Sequence, residues 1–593
     1  MRPNRYLLAF ALLLAAFPLL PLPDFWVTQA NYVGMYGIVC VGLVLLTGVG
    51  GMTSFGQAAF VGLGAYASAY LNTAHGLSPW LGLLAGLAIT GISAWIIGAI
   101  TLRMSGHYLP LATIAWGLSL YFLFGNMEWL GKYDGIGRID PIAIGGFVLD
   151  TGRSMFYLVW AVALLVVWGS VNLLDSRPGR AIRTLNGSTV MAEAMGVDSA
   201  RYKITVFVLA ALYASVAGWL YAHFQRTVNP TPFGLNMGIQ YLMMAVIGGA
   251  GHVWGALLGA LLMTVLQDKL QVWLPALLGH DGNIEIVVYG VILVLILQYA
   301  PEGLWPHLAR LFGKPRGGSA PAAGGAAAPL SQRARPAAGT ALLEVEAARK
   351  EFGGLVAVND VSFRLPAGGI VGLIGPNGAG KSTMFNLVSG VLGLTSGRVV
   401  FAGAPVGRGV RGMVERGLGR TFQHVQMVPT MTVLENVAIG AHLRSRGSHA
   451  LDVARAMLRL DRAGERALLA EAERQLRRVG LGEHLHAQAG SLALGQQRIL
   501  EIARALCTDP FLLLLDEPAA GLRYQEKQAL GTLLRQLQRE GISVLLVEHD
   551  MDFVMELTGH LVVMEFGTKI AEGKPAEIQQ DPVVLQAYLG GID

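Results

Sequence analysis

Cysteine is almost absent from this sequence of 593 residues, in which only Cys40 and Cys507 occur. Cys40 lies in an apolar stretch and Cys507 in a polar one, so we expect no disulfide bond between them. A protein that relies on disulfides for its stability is therefore not expected, and the polar second half of the chain suits a reducing cytoplasm.

Charged residues are also few, at 14% of the chain, and only 26 of the 83 charged residues lie in residues 1–310. Because the chain is too long for one domain, this asymmetry predicts an apolar membrane domain joined to a soluble one. The apolar stretches hold almost no ionisable residues, which argues against a proton relay or an ion pump and favours a solute with apolar bulk. The net charge of +5 is scattered along the chain, so we expect no nucleic-acid partner.

Apolar stretches recur along the first half at about the length of 20 residues that a membrane-spanning helix needs. They predict an all-α polytopic membrane domain over residues 1–312 with eight to ten spans. Eight candidates are strong and two are weaker; the strong ones are 6–21, 32–49, 80–101, 108–125, 156–174, 204–222, 254–273 and 284–300, and the weaker ones are 55–72 and 237–250.

The first apolar stretch follows Arg2 and Arg5 and could be a signal peptide instead of a span. No clear cleavage site of small residues follows it, and further spans come after it. We therefore interpret it as the first membrane helix.

The loop 175–203 is basic, with Arg177, Arg180, Arg183, Arg201 and Lys203. The excess of basic residues predicts a cytoplasmic location. Its segment AIRTLNGSTVMAEAMG is predicted to form one or two short helices. The loop is either a solvated basic connection or a docking element for a cytoplasmic motor.

Two membrane segments, 47–66 and 246–260, are unusually rich in glycine. Small residues allow helices to pack closely. Alternatively, broken helices line a pathway there, since irregular backbone is tolerated at membrane depth where it is shielded from lipid.

The segment 313–340 is rich in alanine, glycine and proline and has no hydrophobic period. This composition predicts a flexible linker between the membrane domain and a soluble domain over residues 341–593.

The segment GPNGAGKST fits the phosphate-loop pattern, with an apolar strand before it and a helix-forming stretch after it. Its backbone amides and the following helix N-terminus suit phosphate groups, Lys381 can reach the β and γ phosphates, and Ser382 can bind Mg²⁺. The predicted ATP-binding residues of this loop are Gly375, Pro376, Asn377, Gly378, Ala379, Gly380, Lys381, Ser382 and Thr383.

Two buried strands are predicted to end in catalytic side chains. LLLLDEP ends in Asp516, a predicted Mg²⁺ ligand, and in Glu517, which is placed to polarise the attacking water. SVLLVEHD ends in His549, a predicted γ-phosphate sensor, because parallel sheets bind ligands at the carboxyl ends of their strands.

Together with RTFQHV, LALGQQRILEIARAL, DEPAAGL and VEHDM, these motifs make residues 342–593 resemble the ATP-binding cassette of branched-chain amino-acid ABC importers. GQAAFVGLGAY, VIGGAGHVWGALLGALL and APEGLW in the first half resemble the permease of the same systems. The resemblance implies an α/β P-loop ATPase with a helical subdomain. It also implies that Phe352 stacks on adenine and that Gln423 contacts ATP and Mg²⁺.

The resemblance further implies that two cassettes face each other and that each signature motif contacts the ATP of its partner. The signature residues here are Leu492, Ala493, Leu494, Gly495 and Gln496. Ala493 lacks the hydroxyl that a serine would supply, but the helix N-terminal amides and Gly495 make the motif usable. Permeases of this kind often carry acidic residues early in the loop 175–203, whereas this loop retains only Glu193 there.

The expected function is a fused permease–ATPase subunit that imports branched-chain or other hydrophobic amino acids with ATP and Mg²⁺. Its expected partners are a second permease, a second ATPase, an extracytoplasmic solute-binding protein and membrane lipid. The expected location is the bacterial inner membrane with the ATPase in the cytoplasm. The alternatives are the same machine for urea, short amides or aromatic acids, an exporter or lipid flippase, and a membrane ATPase that transports nothing.

Overall fold

The computed structural model of the chain describes residues 5–102, 108–278, 284–311, 329–407, 409–444 and 449–589. These residues form two compact units. The first unit contains the described residues of Met1–Asp175, Ala200–Pro315 and Val453–Leu460, and the second contains those of Ser176–Ser199, Arg316–Asp452 and Asp461–Asp593.

The first unit is built from apolar helices, as the sequence predicts. A π-helix, Val44–Val49, continues α2, and four short strands, β1 to β4, lie in the loops: Ile136–Gly137, Ile142–Ile144, Phe147–Leu149 and Thr227–Val228. The helices are α1 Arg5–Ala16, α2 Asp24–Leu43, α3 Gln57–His75, α4 Pro79–Thr101, α5 Tyr108–Asn126, α6 Gly152–Leu174, α9 Ser199–Gln225, α10 Leu235–Gly249, α11 Val253–Leu278, α12 Ile284–Tyr299 and α13 Trp305–Leu311.

Each of the ten predicted stretches falls on one of these helices, so the all-helical prediction is confirmed. Six helices of the described chain are long and apolar enough to cross a membrane by themselves: Asp24–Val49, Pro79–Thr101, Tyr108–Asn126, Gly152–Leu174, Ser199–Gln225 and Val253–Trp273. Three further apolar helices are shorter, namely Phe10–Leu19, Leu235–Gly249 and Val287–Tyr299. The crossings beyond these six stay a prediction.

The two glycine-rich segments combine close packing with interrupted helices. A methyl group on Gly48 would lie 1.5 Å from the carbonyl oxygen of Ala250, so only glycine allows this approach of the two segments. The backbone is irregular between the π-helix and α3, and again between α10 and α11. Close packing and interrupted helices are therefore both present in the first unit, and a pathway lined by the interrupted helices stays a prediction.

The second unit contains two sheets. A six-stranded sheet has the order β10-β11-β12-β7-β13-β14, in which every pairing is parallel except β13 with β14. An antiparallel sheet has the order β6-β5-β8-β9. The strands are β5 Ala341–Phe352, β6 Leu355–Pro366, β7 Ile370–Ile374, β8 Ser396–Phe401, β9 Ala404–Pro405, β10 Leu418–Arg420, β11 Leu512–Asp516, β12 Ser543–Val547, β13 His560–Glu565 and β14 Thr568–Gly573.

Helices cover the six-stranded sheet and form a separate helical subdomain. The four leucines of β11 are fully buried, as expected for a parallel strand that is covered on both faces. The helices of the second unit are α14 Lys381–Val388, α15 Val410–Glu415, α16 Val433–Ala438, α18 Arg462–Arg478, α19 Leu494–Leu506, α20 Tyr524–Arg539, α21 Met551–Leu557, α22 Pro575–Ile578 and α23 Pro582–Leu589. Helix α17, His449–Met457, begins in the second unit and from Val453 onward is assigned to the first. Leu434, Leu468 and Leu500 lie in the apolar core that joins α16, α18 and α19. The α/β fold with a helical subdomain is therefore confirmed.

The basic loop forms two short helices within the second unit, α7 Arg177–Thr184 and α8 Thr189–Ala194. The side chain of Ser188 caps α8 by accepting a hydrogen bond from the amide of Met191, at 3.2 Å. The prediction of one or two helices in this loop is confirmed.

The segment predicted as a linker, 313–340, falls mostly outside the described residues. Its last part, 329–340, is described and contacts the rest of the second unit. The backbone amide of Arg333 donates a hydrogen bond to Asp509, at 2.6 Å, and Arg335 forms an ion pair with the same carboxylate, at 2.8 Å. Strand β5 begins at Ala341, where the soluble domain is predicted to begin.

Candidate ATP-binding site

The loop between β7 and α14 carries the phosphate-loop motif, and its glycines adopt conformations that other residues avoid. Gly375 has φ 150°, Gly378 has φ 83° and Gly380 has φ 92°. A methyl group on Gly375 would lie 2.0 Å from the carbonyl oxygen of Met564, whereas the space around Gly378 is open. The backbone at Gly378 is therefore accessible to a ligand, whereas Gly375 is packed closely against the backbone of Met564.

Lys381, the first residue of α14, folds back over this loop. Its Nζ atom donates hydrogen bonds to the carbonyl oxygens of Gly375, at 2.7 Å, and of Pro376, at 2.8 Å. Burial lowers the pKa of Lys381, and the nearby carboxylates of Glu517 and Asp516 oppose that shift. The ammonium group thus lies at the mouth of the loop, where it can meet a phosphate group.

Asp516 ends β11 and is 7% exposed. Burial raises its pKa to about 6, although Arg420 favours the ionised form. The amide of Asp516 donates a hydrogen bond to the hydroxyl of Thr421, at 3.3 Å, which links this strand to the segment that carries Gln423. Ser382, the third predicted Mg²⁺ ligand, is exposed one residue after Lys381.

Glu517, Gln423 and His549 meet at the same edge of the sheet. The Nε2 atom of Gln423 lies 3.4 Å from Oε1 of Glu517, and Nδ1 of His549 lies 3.8 Å from Oε2. The backbone of Glu517 has φ 47° and its amide donates to the carbonyl oxygen of Val547, at 2.8 Å. This left-handed conformation directs Glu517 away from the buried strand.

Glu548 was not predicted from the sequence but organises this edge. It is 1% exposed and accepts hydrogen bonds from the amides of Ala519, at 2.6 Å, and His549, at 3.2 Å. Burial raises its pKa. Its carboxylate joins the turn after Glu517 to the segment that carries His549. The sequence shows that Glu548 precedes His549 but gives no sign of its contact with Ala519.

Tyr588 is a second residue that sequence reasoning missed. It lies on α23, close to the end of the described chain, and a backbone hydrogen bond connects its hydroxyl with Gly375 of the phosphate loop. Burial raises the pKa of Tyr588 to about 12, and this hydrogen bond opposes the shift. The C-terminal helix therefore supports the start of the phosphate loop.

The signature residues form the start of α19. Ala493 caps the helix with an extended backbone, and its amide donates a hydrogen bond to Oε1 of Gln496, at 3.2 Å. Gly495 allows close packing, because a methyl group there would lie 3.1 Å from Leu522 and 3.2 Å from Glu526. Leu492 is buried and Leu494 is 55% exposed.

The signature is separate from the phosphate loop within this chain, since no hydrogen bond joins the two among the described residues. Phe352 ends β5 with a side chain that is 44% exposed, and Nζ of Lys350 lies 4.9 Å from the centre of its ring. The exposed ring is free to stack on a planar group. The structure therefore brings Lys381 of the phosphate loop together with Asp516 and Glu517, and leaves Phe352 and, within the signature, Ala493 and Leu494 exposed.

Family profiles match both halves of the chain. The permease component of the branched-chain amino acid transport system matches residues 26–297. The ABC transporter family matches residues 358–520, and the branched-chain amino acid ATP-binding cassette transporter family matches residues 568–593.

Curated relatives match the second half. The high-affinity branched-chain amino acid transport ATP-binding protein BraF of Pseudomonas aeruginosa is 40% identical over 252 residues, which are 42% of this chain and 98% of that protein. This chain belongs to the branched-chain amino-acid ABC transporter family. The ATP-binding protein LivG of Salmonella typhimurium is 41% identical over 254 residues, 42% of this chain and 98% of that protein. A crystal structure of a nucleotide-free ATP-binding cassette from an ABC transporter is 32% identical and covers 42% of this chain and 99% of that chain, with a TM-score of 0.37.

As a member of this family, the transporter joins a multi-pass membrane permease and a soluble ATPase in one polypeptide. It binds ATP and couples ATP hydrolysis to transport. ABC importers of this kind work with additional permease and ATPase subunits and with a solute-binding protein.

The basic loop of the transporter contacts its own ATPase. Arg177 forms an ion pair with Asp452 and donates to the carbonyl oxygen of His442, at 3.2 Å, while Arg180 forms an ion pair with Glu465. The four side chains of these pairs are 4–16% exposed. The docking interpretation of the loop, which competed with a solvated loop, is therefore the one that the contacts support.

The segment that follows α8 adds two contacts of another kind. The carboxylate of Asp198 pairs with Arg411, at 2.5 Å. At Gly196, where φ is 82°, a methyl group would lie 2.1 Å from Leu443. The loop therefore pairs with the ATPase through charges of both signs, basic at Arg177 and Arg180 and acidic at Asp198.

Proposed function

We propose that the chain is the fused permease–ATPase subunit of an importer that moves branched-chain amino acids across the bacterial inner membrane into the cytoplasm. One observation carries the proposal. A match to the permease component of branched-chain amino acid transport and a match to the branched-chain type of cassette occur in the same polypeptide. The relatives BraF and LivG carry names that state branched-chain amino acid transport.

For the ATPase, we assign Glu517 as the general base that polarises the attacking water. His549 contacts the γ phosphate and Lys381 contacts the β and γ phosphates. The Nδ1 atom of His549 lies 3.8 Å from Oε2 of Glu517 at the edge of the sheet, and this proximity supports these roles. The other phosphate-loop residues, except Pro376, which has no N–H group, supply backbone amides, and Phe352 stacks on adenine.

Asp516, Ser382 and Gln423 would hold Mg²⁺ in this proposal. The chemistry of Asp516 supports this fit. Burial raises the pKa of its carboxyl group to about 6, and a bound cation would stabilise the ionised form. Oxygen ligands are also the ones that Mg²⁺ prefers. When bound, the ion would neutralise part of the phosphate charge.

The partners that we propose are a second permease, a second ATPase and an extracytoplasmic binding protein, together with membrane lipid around the helices. The signature residues 492–496 would contact the ATP held by the partner's phosphate loop. The exposure of Ala493 and Leu494 in this chain supports that arrangement.

The test is solute transport by the complete complex, purified with its proposed partner subunits and reconstituted in vesicles that hold the binding protein and the solute inside. ATP is supplied to the face that carries the ATPase, and radiolabelled leucine is measured against urea, a short amide and an aromatic acid. ATP-dependent movement of leucine toward the ATPase face supports the proposal. Preference for another solute, movement in the opposite direction or hydrolysis without transport would replace it with the corresponding alternative.

A further inference from the structure

An arginine on the helix that begins with the signature, α19, contacts the backbone of the proposed general base. Arg498 lies two residues after Gln496, the last residue of the signature. Its Nη1 atom donates a hydrogen bond to the carbonyl oxygen of Glu517, at 2.8 Å. The Nε atom of Arg498 is buried and has no hydrogen-bond partner among the described residues. The bond to Glu517 therefore orients the guanidinium group.

The backbone of Glu517 is held from both sides in a conformation that residues other than glycine avoid. Its φ of 47° lies in the left-handed region, which costs free energy unless the surrounding contacts impose it. Its amide donates to the carbonyl oxygen of Val547, at 2.8 Å, and its carbonyl oxygen accepts from the amide of Ala520, at 3.2 Å, as well as from Arg498. Of these three contacts, the one from Arg498 is made by a side chain, so a substitution can remove it and leave the other two.

The first turn of α19 also packs closely against the segment that follows Glu517. A methyl group on Gly495 would lie 3.1 Å from Leu522 and 3.2 Å from Glu526. Arg498 lies three residues beyond Gly495, on about the same face of the helix. Its bond to Glu517 and the close packing at Gly495 therefore hold one continuous segment, 517–526, against the start of α19.

The helix that carries Arg498 is itself anchored inside the ATPase. Glu501, which is 2% exposed, accepts a hydrogen bond from the amide of Gln426, at 2.8 Å. Arg504, which is 1% exposed, donates to the carbonyl oxygen of Gln426, at 2.5 Å, and pairs with Glu501 at 3.2 Å. Because these buried bonds fix α19 to the segment that carries Gln423, the guanidinium of Arg498 extends from a rigid support.

We propose that Arg498 is a positioning residue of ATP hydrolysis, which holds the backbone of Glu517 so that its carboxylate is directed at the attacking water. The inference rests on the proposed function, which assigns Glu517 as the general base, and deepens it by naming the residue through which the signature helix orients that base. Arg498 takes no part in the chemistry itself, since it contacts a backbone carbonyl oxygen and not the carboxylate.

The experiment measures steady-state ATP hydrolysis by the complete reconstituted complex with the partner's ATP site disabled. Arg498→Met removes the hydrogen bond and keeps much of the side-chain volume. We expect kcat to fall roughly 10²-fold, the scale on which a small misplacement of a reacting group slows a reaction. The KM for ATP should stay near the wild-type value, because the phosphate loop is untouched.

A second measurement separates positioning from a general loss of structure. In a Glu517→Gln background the carboxylate is already absent, so Arg498→Met should lower the residual rate no further. A merely structural role for Arg498 would lower the rate by the same factor in both backgrounds and would raise the KM for ATP. The matched control is Arg416→Met, which removes an arginine that donates to the carbonyl oxygen of Pro405 in β9, also at 2.8 Å, and should leave kcat unchanged.

The possible failures of the inference and of the proposed function are distinct. Wild-type kcat in Arg498→Met, equal losses in the two backgrounds, or an equal loss in Arg416→Met would overturn the inference alone. Unchanged hydrolysis in Glu517→Gln would instead refute the proposed role of Glu517. If the Arg498→Met complex does not assemble, Arg498→Gln, whose side chain is shorter but still polar, decides by the same two measurements.

Discussion

Arg180 and Glu465 form an ion pair in which the arginine side chain is 4% exposed and the carboxylate 16%. The two residues are 285 positions apart in the sequence, yet both belong to the second unit. Two charges so far removed from water are tolerated because they neutralise each other. The pair therefore gives the docking of the basic loop a specific geometry as well as an attraction.

Reversal of one charge in this pair should uncouple the transporter. In Arg180→Glu two carboxylates would face each other, and removal of one partner from a buried pair costs about 3–5 kcal/mol. We expect basal ATP hydrolysis to persist while its stimulation by solute-loaded binding protein is lost. The double variant Arg180→Glu with Glu465→Arg should recover much of the stimulation, as measured by ATPase assays in vesicles.

The control for this prediction lies on the same helix. Arg183→Glu makes the same change in charge at a residue that has no ion pair among the described residues, so stimulation should stay near the wild-type level. Equal losses in Arg183→Glu and Arg180→Glu would show that the charge of the loop matters and that the pairing with Glu465 does not.

Glu517→Gln should preserve ATP binding and suppress turnover. The amide keeps the shape of the side chain but cannot accept a proton, and loss of a general base typically lowers the rate by roughly 10²–10⁴-fold. The measurement is steady-state hydrolysis at this chain's own site with the partner site disabled, together with trapping of nucleotide in the closed complex. Unchanged hydrolysis there would remove Glu517 from the catalytic role.

Cleavage of the predicted linker should leave coupling largely intact. A protease site inserted at residues 318–326, which lie outside the described residues, would cut upstream of Arg333 and Arg335. These two arginines keep their own contacts with Asp509, so the second unit should retain its structure after cleavage. Solute-stimulated ATPase activity is measured before and after digestion of the assembled complex. Loss of stimulation while the complex stays assembled would show that the linker transmits force.

Ala493→Ser should lower the ATP concentration needed for half-maximal hydrolysis at the partner's site. The backbone of Ala493 is already extended, as a helix cap requires, and a serine cap stabilises a helix by about 1 kcal/mol. The added hydroxyl would also supply a hydrogen bond to the γ phosphate. ATP dependence is measured with either phosphate-loop lysine disabled. An effect at the site of Lys381 would contradict the crossed arrangement of the cassettes, and no effect would mean that the pocket already accommodates alanine.

The placement of the proposed phosphate-binding residues in the fold could be predicted because it depends on local patterns. A strand, a glycine-rich turn and a helix follow one another around Lys381, and both Asp516 and His549 sit at the ends of strands whose apolar runs are visible in the sequence. These side chains meet at one edge because the carboxyl ends of parallel strands lie at the same edge of a sheet. Helix positions in the membrane domain were predictable for the same reason, since an apolar stretch of sufficient length determines them.

Residues whose roles depend on distant parts of the chain could not be predicted. Glu548 matters because the turn at Ala519 lies beside it, and Tyr588 matters because it reaches Gly375 from the far end of the chain. The acidic partners of the basic loop lie in helices of the second unit that have no motif of their own. Only tertiary packing brings these residues together, and no local pattern records it.

The ion pairs of the basic loop join segments of one polypeptide, and this has a consequence for assembly. Segments that are covalently connected meet at an effective concentration of about millimolar, so a contact of modest intrinsic affinity is occupied nearly all the time. Two subunits encoded separately would need a tighter interface to reach the same occupancy at cellular concentrations. Fusion also fixes the ratio of permease to ATPase within this chain at one to one, so this permease needs no search for its own ATPase.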